Sequence, residues 1–324
     1  MIALWDTTGN EVAKALSSER RSAGGLTSGL ALTLVAAVDE KRVREAETAA
    51  ATAAAAHPCR LLIVVRTYPT APTTESRLDA EIVVGGRLGP AEAVVMRMHG
   101  RLALHAESVV MPLLAPDVPV VTWWHGNPPE QIATDPLGVV AERRITDIAQ
   151  SSDPIAGLRQ RAEDYAPGDT DLAWTRTTPW RSLVASALDP VAASVVGARL
   201  SASPDDPTAA LLRGWLCARL GQMPEMEPTT NAVIESVTLA LSDGTEISIV
   251  RGDGVAYLRR TGMADRILPL IRRPLGDQLA EEMKHLDADQ PYAMALAAAT
   301  GTTGLSARTK ARVHIWRDPA KVPA

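Results

Sequence analysis

The sequence predicts an α/β fold, with a mostly parallel sheet flanked by helices, followed by a smaller α+β part with an antiparallel meander. Three observations carry this reading. Residues 30–38 (LALTLVAAV), 40–56 and 61–66 (LLIVVR) give an apolar run, an alanine-rich charged stretch and a second apolar run. That is the pattern of a parallel strand–helix–strand crossover. Residues 118–124 (VPVVTWW) form another continuous apolar run, suited to a strand covered on both faces. In the second half, Asp243-Gly244 and Asp253-Gly254 separate three strand-like runs with hairpin-turn pairs.

The elements follow in order. Residues 10–21 (NEVAKALSSERR) read as a helix, with Thr7, Thr8 or Asn10 as its cap. The helix over 40–56 stops at His57-Pro58, because proline cannot continue it. Residues 80–85 and 91–99 read as strands, separated by turn residues Gly85, Gly86 and Gly89-Pro90. Residues 102–114 read as a helix ended by Pro116-Asp117, and the strand over 118–124 runs into a turn at Gly126-Asn127-Pro128-Pro129. A helix over 137–144, a short strand over 145–149 and a helix over 154–165 complete an N-terminal α/β domain of residues 1–165.

The second domain spans residues 166–324. Residues 169–187 read as one long helix and 193–200 as a strand, before a helix over 208–220. Residues 221–231 (GQMPEMEPTTN) look like a linker, 234–241, 246–251 and 255–259 form the meander, and 275–286 and 289–299 are helices. From about 305 the chain ends in a basic tail, with Arg308, Lys310, Arg312, Arg317 and Lys321 against Asp318.

Composition narrows the function classes. The 324 residues are 46% hydrophobic and 22% charged with net charge −5, so a globular chain is expected rather than a disordered or fibrous one. No apolar run approaches the roughly 20 residues that a membrane span needs. The N-terminus lacks the basic and apolar regions of a secretory signal. A mildly acidic chain is a poor nucleic-acid binder. Expected are a cytoplasmic location, no membrane and no nucleic-acid partner. Phenylalanine is absent and Lys is scarce beside Arg, as codon bias in a GC-rich genome would produce.

Catalytic motifs are missing. There is no Gly-x-x-x-x-Gly-Lys-Ser/Thr cradle, no Gly-x-Gly-x-x-Gly after the first strand and no Gly-x-Ser-x-Gly elbow. His105-Ala106-Glu107 starts a zinc-deaminase signature that no Pro-Cys-x-x-Cys completes. Glu281-Glu282 read as a solvated helix face and Asp287 with Asp289 as a cap. Cys59 and Cys217 are expected to be buried, inert thiols. Neither metal nor cofactor is implied.

The residues that stand out combine tryptophan with polar groups. Trp123-Trp124-His125-Gly126 follows an apolar strand, where open α/β sheets place ligand-facing loops. Alternation points the two indoles to opposite faces, which leaves at most one for the core. The second cluster is Asp169, Asp171, Trp174, Arg176, Trp180 and Arg181. Both carboxylates are placed to cap a helix, and Trp with Arg is also the composition of binding hot spots. Alternatively, Arg143, Arg144 and Arg176 could hold a phosphate, making the chain a sugar-phosphate- or nucleotide-binding enzyme that uses the loops at the strand C-termini.

The strings HPCR (57–60), ESVVMPLLAPDVPVVTWWHGNPP (107–129), DPLG (135–138), RRITD (143–147) and YAPGDTDLAWTRTTPWR (165–181) resemble the actinobacterial form of the OpcA family of glucose-6-phosphate dehydrogenase assembly proteins. The opening DTTGNEVAKAL and the later LPLIRRPLGDQLAEEMKHLDAD (268–289) are similar to it too. The sequence departs where the family often has WWPGEPP, with His125 and Asn127 here, and in the tail after Ser306. The resemblance implies a non-catalytic regulatory partner of glucose-6-phosphate dehydrogenase, the NADP-dependent first enzyme of the oxidative pentose phosphate pathway. Trp124, His125, Asp169, Asp171, Trp174, Arg176, Trp180 and Arg181 are then the candidate partner-binding residues. With no Cys-x-x-Cys pair, no thiol switch is expected of this chain, unlike that implied for some cyanobacterial relatives.

Overall fold

A computed structural model describes residues 2–22, 29–69, 75–84 and 92–309. The expected turn over 85–90 and the tail from Lys310 lie outside these residues.

The first sheet has eight strands. They are β1 (Ile2–Leu4), β2 (Leu32–Val38), β3 (Cys59–Thr67), β4 (Arg77–Val84), β5 (Glu92–His99), β6 (Val120–His125), β7 (Arg143–Thr146) and β8 (Asp169–Asp171). Their order is β1-β4-β5-β3-β2-β6-β7-β8, and β4 alone runs against the rest. Central strands β2 and β6 are buried along their whole length, which explains their continuous apolar runs. Helix α1 (Gly9–Ser22) opens with a capping box, in which Thr8 Oγ1 accepts from the Glu11 backbone N–H and Glu11 accepts from that of Thr8.

Alternating residues of this sheet feed two cores. On one face, Leu34, Ala36, Ile63 and Trp123 pack under α2 (Val43–Ala56). On the other, Val35, Leu62, Met96 and Trp124 pack under α1 and the broken segment over 100–114. Both indoles are therefore core, correcting the expectation that only one would be: alternation splits them between faces, and both faces are covered. The segment over 100–114 holds only one short α-helical turn, α3 (Ala106–Val110), between 3₁₀ turns.

The expected helix over 137–144 is absent. Residues 131–140 form successive turns, and Asp135 accepts from the Leu137 N–H. A Cβ on Gly138 would stand 1.7 Å from the Ile132 carbonyl oxygen, a backbone approach only glycine permits. The chain then enters β7, whose two arginines find buried partners in distant segments. After α4 (Pro154–Asp164) comes β8, so Asp169 lies in a strand instead of opening the long helix. That helix, α5 (Leu172–Leu188), begins after Asp171, which caps it by accepting from Ala173 N–H at 2.8 Å.

The second sheet contains β9 (Val195–Ala202), β10 (Glu225–Pro228), β11 (Ser236–Leu241), β12 (Glu246–Arg251), β13 (Val255–Arg260) and β14 (Arg266–Pro269), in the order β10-β9-β11-β12-β13-β14. Strand β10 lies inside the expected linker and pairs in parallel with β9. One face is covered by α5 and α6 (Pro207–Leu220), through Trp180, Val184, Leu212 and Leu216. Helix α8 (Gln290–Thr300) packs on α6 so closely that a Cβ on Gly214 would stand 2.1 Å from the Ala295 carbonyl oxygen. The chain also returns to the first sheet: Leu279, Ala280 and Met283, on or just after α7 (Leu275–Glu282), join the core beneath α2. No helix among the described residues is long and apolar enough to cross a membrane.

Candidate functional site

Six of the eight candidate partner-binding residues gather on β8 and α5, where the two sheets meet. They face inward. Asp171 is fully buried and, besides capping α5, accepts from Thr146 Oγ1 at 2.5 Å and Ile148 N–H at 3.0 Å. Burial, and then the neighbouring Asp147, push its carboxyl up to about 6. Arg176 forks onto buried Asp147 with two bonds of 2.7 Å, a bidentate pair in which the arginine side chain stays 25% exposed. Asp169 is paired with Arg144 and accepts from Ala166 N–H at 2.7 Å; burial raises its carboxyl, and Arg144 opposes that.

The indoles are equally committed. Trp174 is 1% exposed, donates to Asp289 at 2.8 Å and carries the Arg181 guanidinium 3.7 Å above its ring. Trp180 is also 1% exposed and lies beneath Arg251, 5.3 Å away. These groups are committed to contacts within the chain, with Arg176 and Arg181 partly exposed.

The phosphate-holding alternative is corrected at two of its three residues. Arg143 donates to Glu282 at 2.5 Å and to the Asp287 carbonyl at 3.0 Å. Arg144 is spent on Asp169 and the carbonyls of Ala141 and Pro167. Both are buried, so neither guanidinium is open to a ligand. Only Arg176 keeps an accessible side.

The reading of Glu281-Glu282 as a solvated helix face is corrected at Glu282, which is buried and paired with distant segments. It is 6% exposed, takes Thr175 Oγ1–H at 2.7 Å with its second oxygen and ties α7 to both β7 and α5. Its neighbour Glu281 accepts from Thr178 and Arg273. A legible signal was the spacing of Leu275, Leu279 and Glu282, which puts the carboxylate on the apolar stripe of the helix.

Trp124 and His125 belong to a separate place, at the end of β6. The connection from β2 leads to β3 on one side, and the chain later returns as β6 on the other. This is the topological switch point, where open sheets form ligand crevices. The crevice here measures about 270 Å³ and is lined by Asp39, Arg66, Tyr68, His125 and Pro129 among others. Arg66 pairs with Asp135 at 3.0 Å and lies 5.5 Å from the Tyr68 ring, while burial raises the Tyr68 hydroxyl. His125 meets Glu45 at 2.9 Å through Nε2, and its buried Nδ1 has no partner among the described residues. Gly126, at φ +129°, lets the chain turn beside Asp39 and Arg42. Among the described residues, the lining offers no serine, threonine or cysteine as a nucleophile.

Cys59 is buried, and desolvation pushes its thiol up to about 12, as expected of an inert cysteine. Cys217 is only half-buried, contrary to its expected place in the core, because it falls at the border of the covered face of α6. Among the described residues, no group of three or more His, Cys, Asp or Glu side chains could hold a metal ion.

Comparison with known proteins matches two successive segments of the chain. Residues 50–163 match the family described as glucose-6-phosphate dehydrogenase subunit N-terminal domain, and residues 167–296 the corresponding C-terminal domain. A curated Synechocystis protein with the provisional name OxPP cycle protein OpcA is 26% identical over 186 residues. That match covers 53% of this chain and 39% of the relative, so the chain spans well under half of the relative's length. The matched segments meet along the buried joint just described, and the chain belongs to the OpcA family of glucose-6-phosphate dehydrogenase assembly proteins.

Proposed function

We propose that this chain binds glucose-6-phosphate dehydrogenase and promotes its active oligomeric state, supporting NADPH production in the cytoplasm without carrying out chemistry of its own. Beyond family membership, one observation carries the reading. The charged groups clustered at the ends of β7 and β8 close on one another within the chain, through Arg143–Glu282, Arg144–Asp169 and Arg176–Asp147. A catalytic centre keeps such groups free for a reacting molecule. Here they fasten α5 and α7 to β7 and β8, as suits a scaffold that presents a fixed outer surface.

A scaffold of this kind acts by differential affinity. If it binds the assembled, active enzyme more tightly than the dissociated form, it shifts the population by that difference. Coupling of roughly 1–3 kcal/mol changes an affinity about 5- to 150-fold. Sedimentation of the cognate dehydrogenase with and without the chain tests this. The expected result is a stable complex with the enzyme moved to its larger oligomer; an enzyme that sediments unchanged at saturating chain would refute the reading.

A further inference from the structure

A second cavity, of about 370 Å³, lies where the two sheets meet, within the size range of small-molecule sites. Its wall is built from the ends of β7 and β12, the first turn of α6, helices α5 and α7, and the chain after β14. Four arginines line it. Two are neutralised: Arg176 by Asp147, and Arg273 by Glu281. The other two are not. Arg251 spends one N–H on the Ile234 carbonyl at 2.7 Å, lies above Trp180 and has no carboxylate partner among the described residues. Arg272 is exposed and makes neither hydrogen bond nor ion pair among the described residues. Desolvation lowers the Arg251 guanidinium; nearby Asp206 opposes this and Arg272 adds to it. Four arginines on one wall outnumber the carboxylates that face them, and such a cationic lining attracts an anion.

The acidic residue in the lining is Asp206. Its Oδ1 already caps α6 by accepting from Thr208 N–H at 2.9 Å, and its charge is shared between Arg176 and Arg251, which leaves Arg272 without a carboxylate partner among the described residues. A further observation concerns a neutral group. Gln278 is 6% exposed and lines the cavity. Its amide orientation is set by Nε2 donating to the Arg273 carbonyl at 2.8 Å, and its buried Oε1 has no partner among the described residues. A buried acceptor left unpaired is costly, and a ligand hydroxyl would satisfy it.

We propose that this cavity binds a phosphate monoester of a polyhydroxylated small molecule, with the phosphate held by Arg251 and Arg272 and a hydroxyl donated to Gln278 Oε1. Arg176 stands at the same wall, within the lining but committed to Asp147. The proposal does not rest on the dehydrogenase reading, because the cavity is complete in the isolated chain.

Calorimetric titration and thermal shift of the full chain test it, using glucose 6-phosphate, glucose and inorganic phosphate at one ionic strength. Saturable binding is expected for glucose 6-phosphate, weaker binding for inorganic phosphate, and none for glucose. Arg272→Glu, at an exposed position that does not threaten the fold, and Arg251→Gln are each expected to weaken binding by about tenfold or more. Gln278→Leu should weaken glucose 6-phosphate binding while leaving inorganic phosphate unchanged. Arg266→Glu, on β14 outside the lining, should change neither. Failure of both phosphates to saturate, or binding that survives both cavity arginine variants, would overturn the site. Inorganic phosphate binding as tightly as the sugar phosphate would overturn the polyhydroxyl part.

Discussion

Replacing Glu282 with glutamine removes the charge that neutralises Arg143 and should loosen the hold of α7 on β7. Both side chains are buried, at 6% and 1% exposure, and their bond is 2.5 Å long. Glutamine keeps an acceptor for Thr175 but leaves the Arg143 guanidinium buried without its counter-ion. Breaking one side of such a pair costs about 3–5 kcal/mol. At roughly 2.1 cal/mol/K of unfolding entropy per residue, a chain of this length melting as one unit loses about 4–7 °C. Differential scanning calorimetry at neutral pH measures this directly. The double variant Arg143→Met with Glu282→Leu should recover most of the loss, since an apolar pair replaces a buried ion pair at little cost. A single variant that melts within about 1 °C of the parent would refute the claim that this pair fastens α7 to β7.

Three further outcomes follow from the same geometry. Asp164 is buried beside Arg161 and its carboxyl is raised to about 7 from an ordinary 3.8, chiefly by desolvation. Between those values the folded chain retains a proton that the unfolded chain has released, so this group's contribution to stability falls as pH rises through the window. Denaturant titrations should then find Asp164→Asn gaining on the parent from pH 4 to 7 and level above it; a difference that ignores pH would contradict this. Iodoacetamide should alkylate half-buried Cys217 in the native chain and reach Cys59 only after unfolding, as read by peptide mass spectrometry; equal rates would contradict the burial of Cys59. Gly214→Ala should force α6 and α8 apart, costing about 1–3 kcal/mol or more in chemical denaturation, and an unchanged midpoint would deny that contact.

Local pattern reached furthest where one segment's chemistry is settled by its neighbours in sequence. The β2–α2–β3 crossover and the β11–β13 meander are legible because apolar runs, alanine content and Asp-Gly turns act over a few residues. Pattern failed where long-range packing decides. Residues 137–144 have helical composition, yet Gly138 must let the Ile132 carbonyl approach, and Arg143 and Arg144 need partners at Glu282 and Asp169. Strand β10 gains its pairing only from β9, and β8 is three polar residues whose strand character comes wholly from β7.

The tryptophan-rich segments were visible, but their orientation was not. Trp174 and Trp180 turn inward because α5 is covered by both the second sheet and α8, which sequence spacing cannot reveal. The arginine-lined cavity draws on residues from 149 to 278, so no local string marks it.

The central claim is that the chain acts on glucose-6-phosphate dehydrogenase. Its most direct test is a titration of the cognate enzyme's activity with the purified full-length chain, at substrate levels near half-saturation. The expected result is a saturable rise in activity through tighter apparent substrate binding or a higher maximal rate, accompanied by a shift in oligomeric state at the same chain concentration. Activity and oligomeric state that both stay flat across the titration would contradict it.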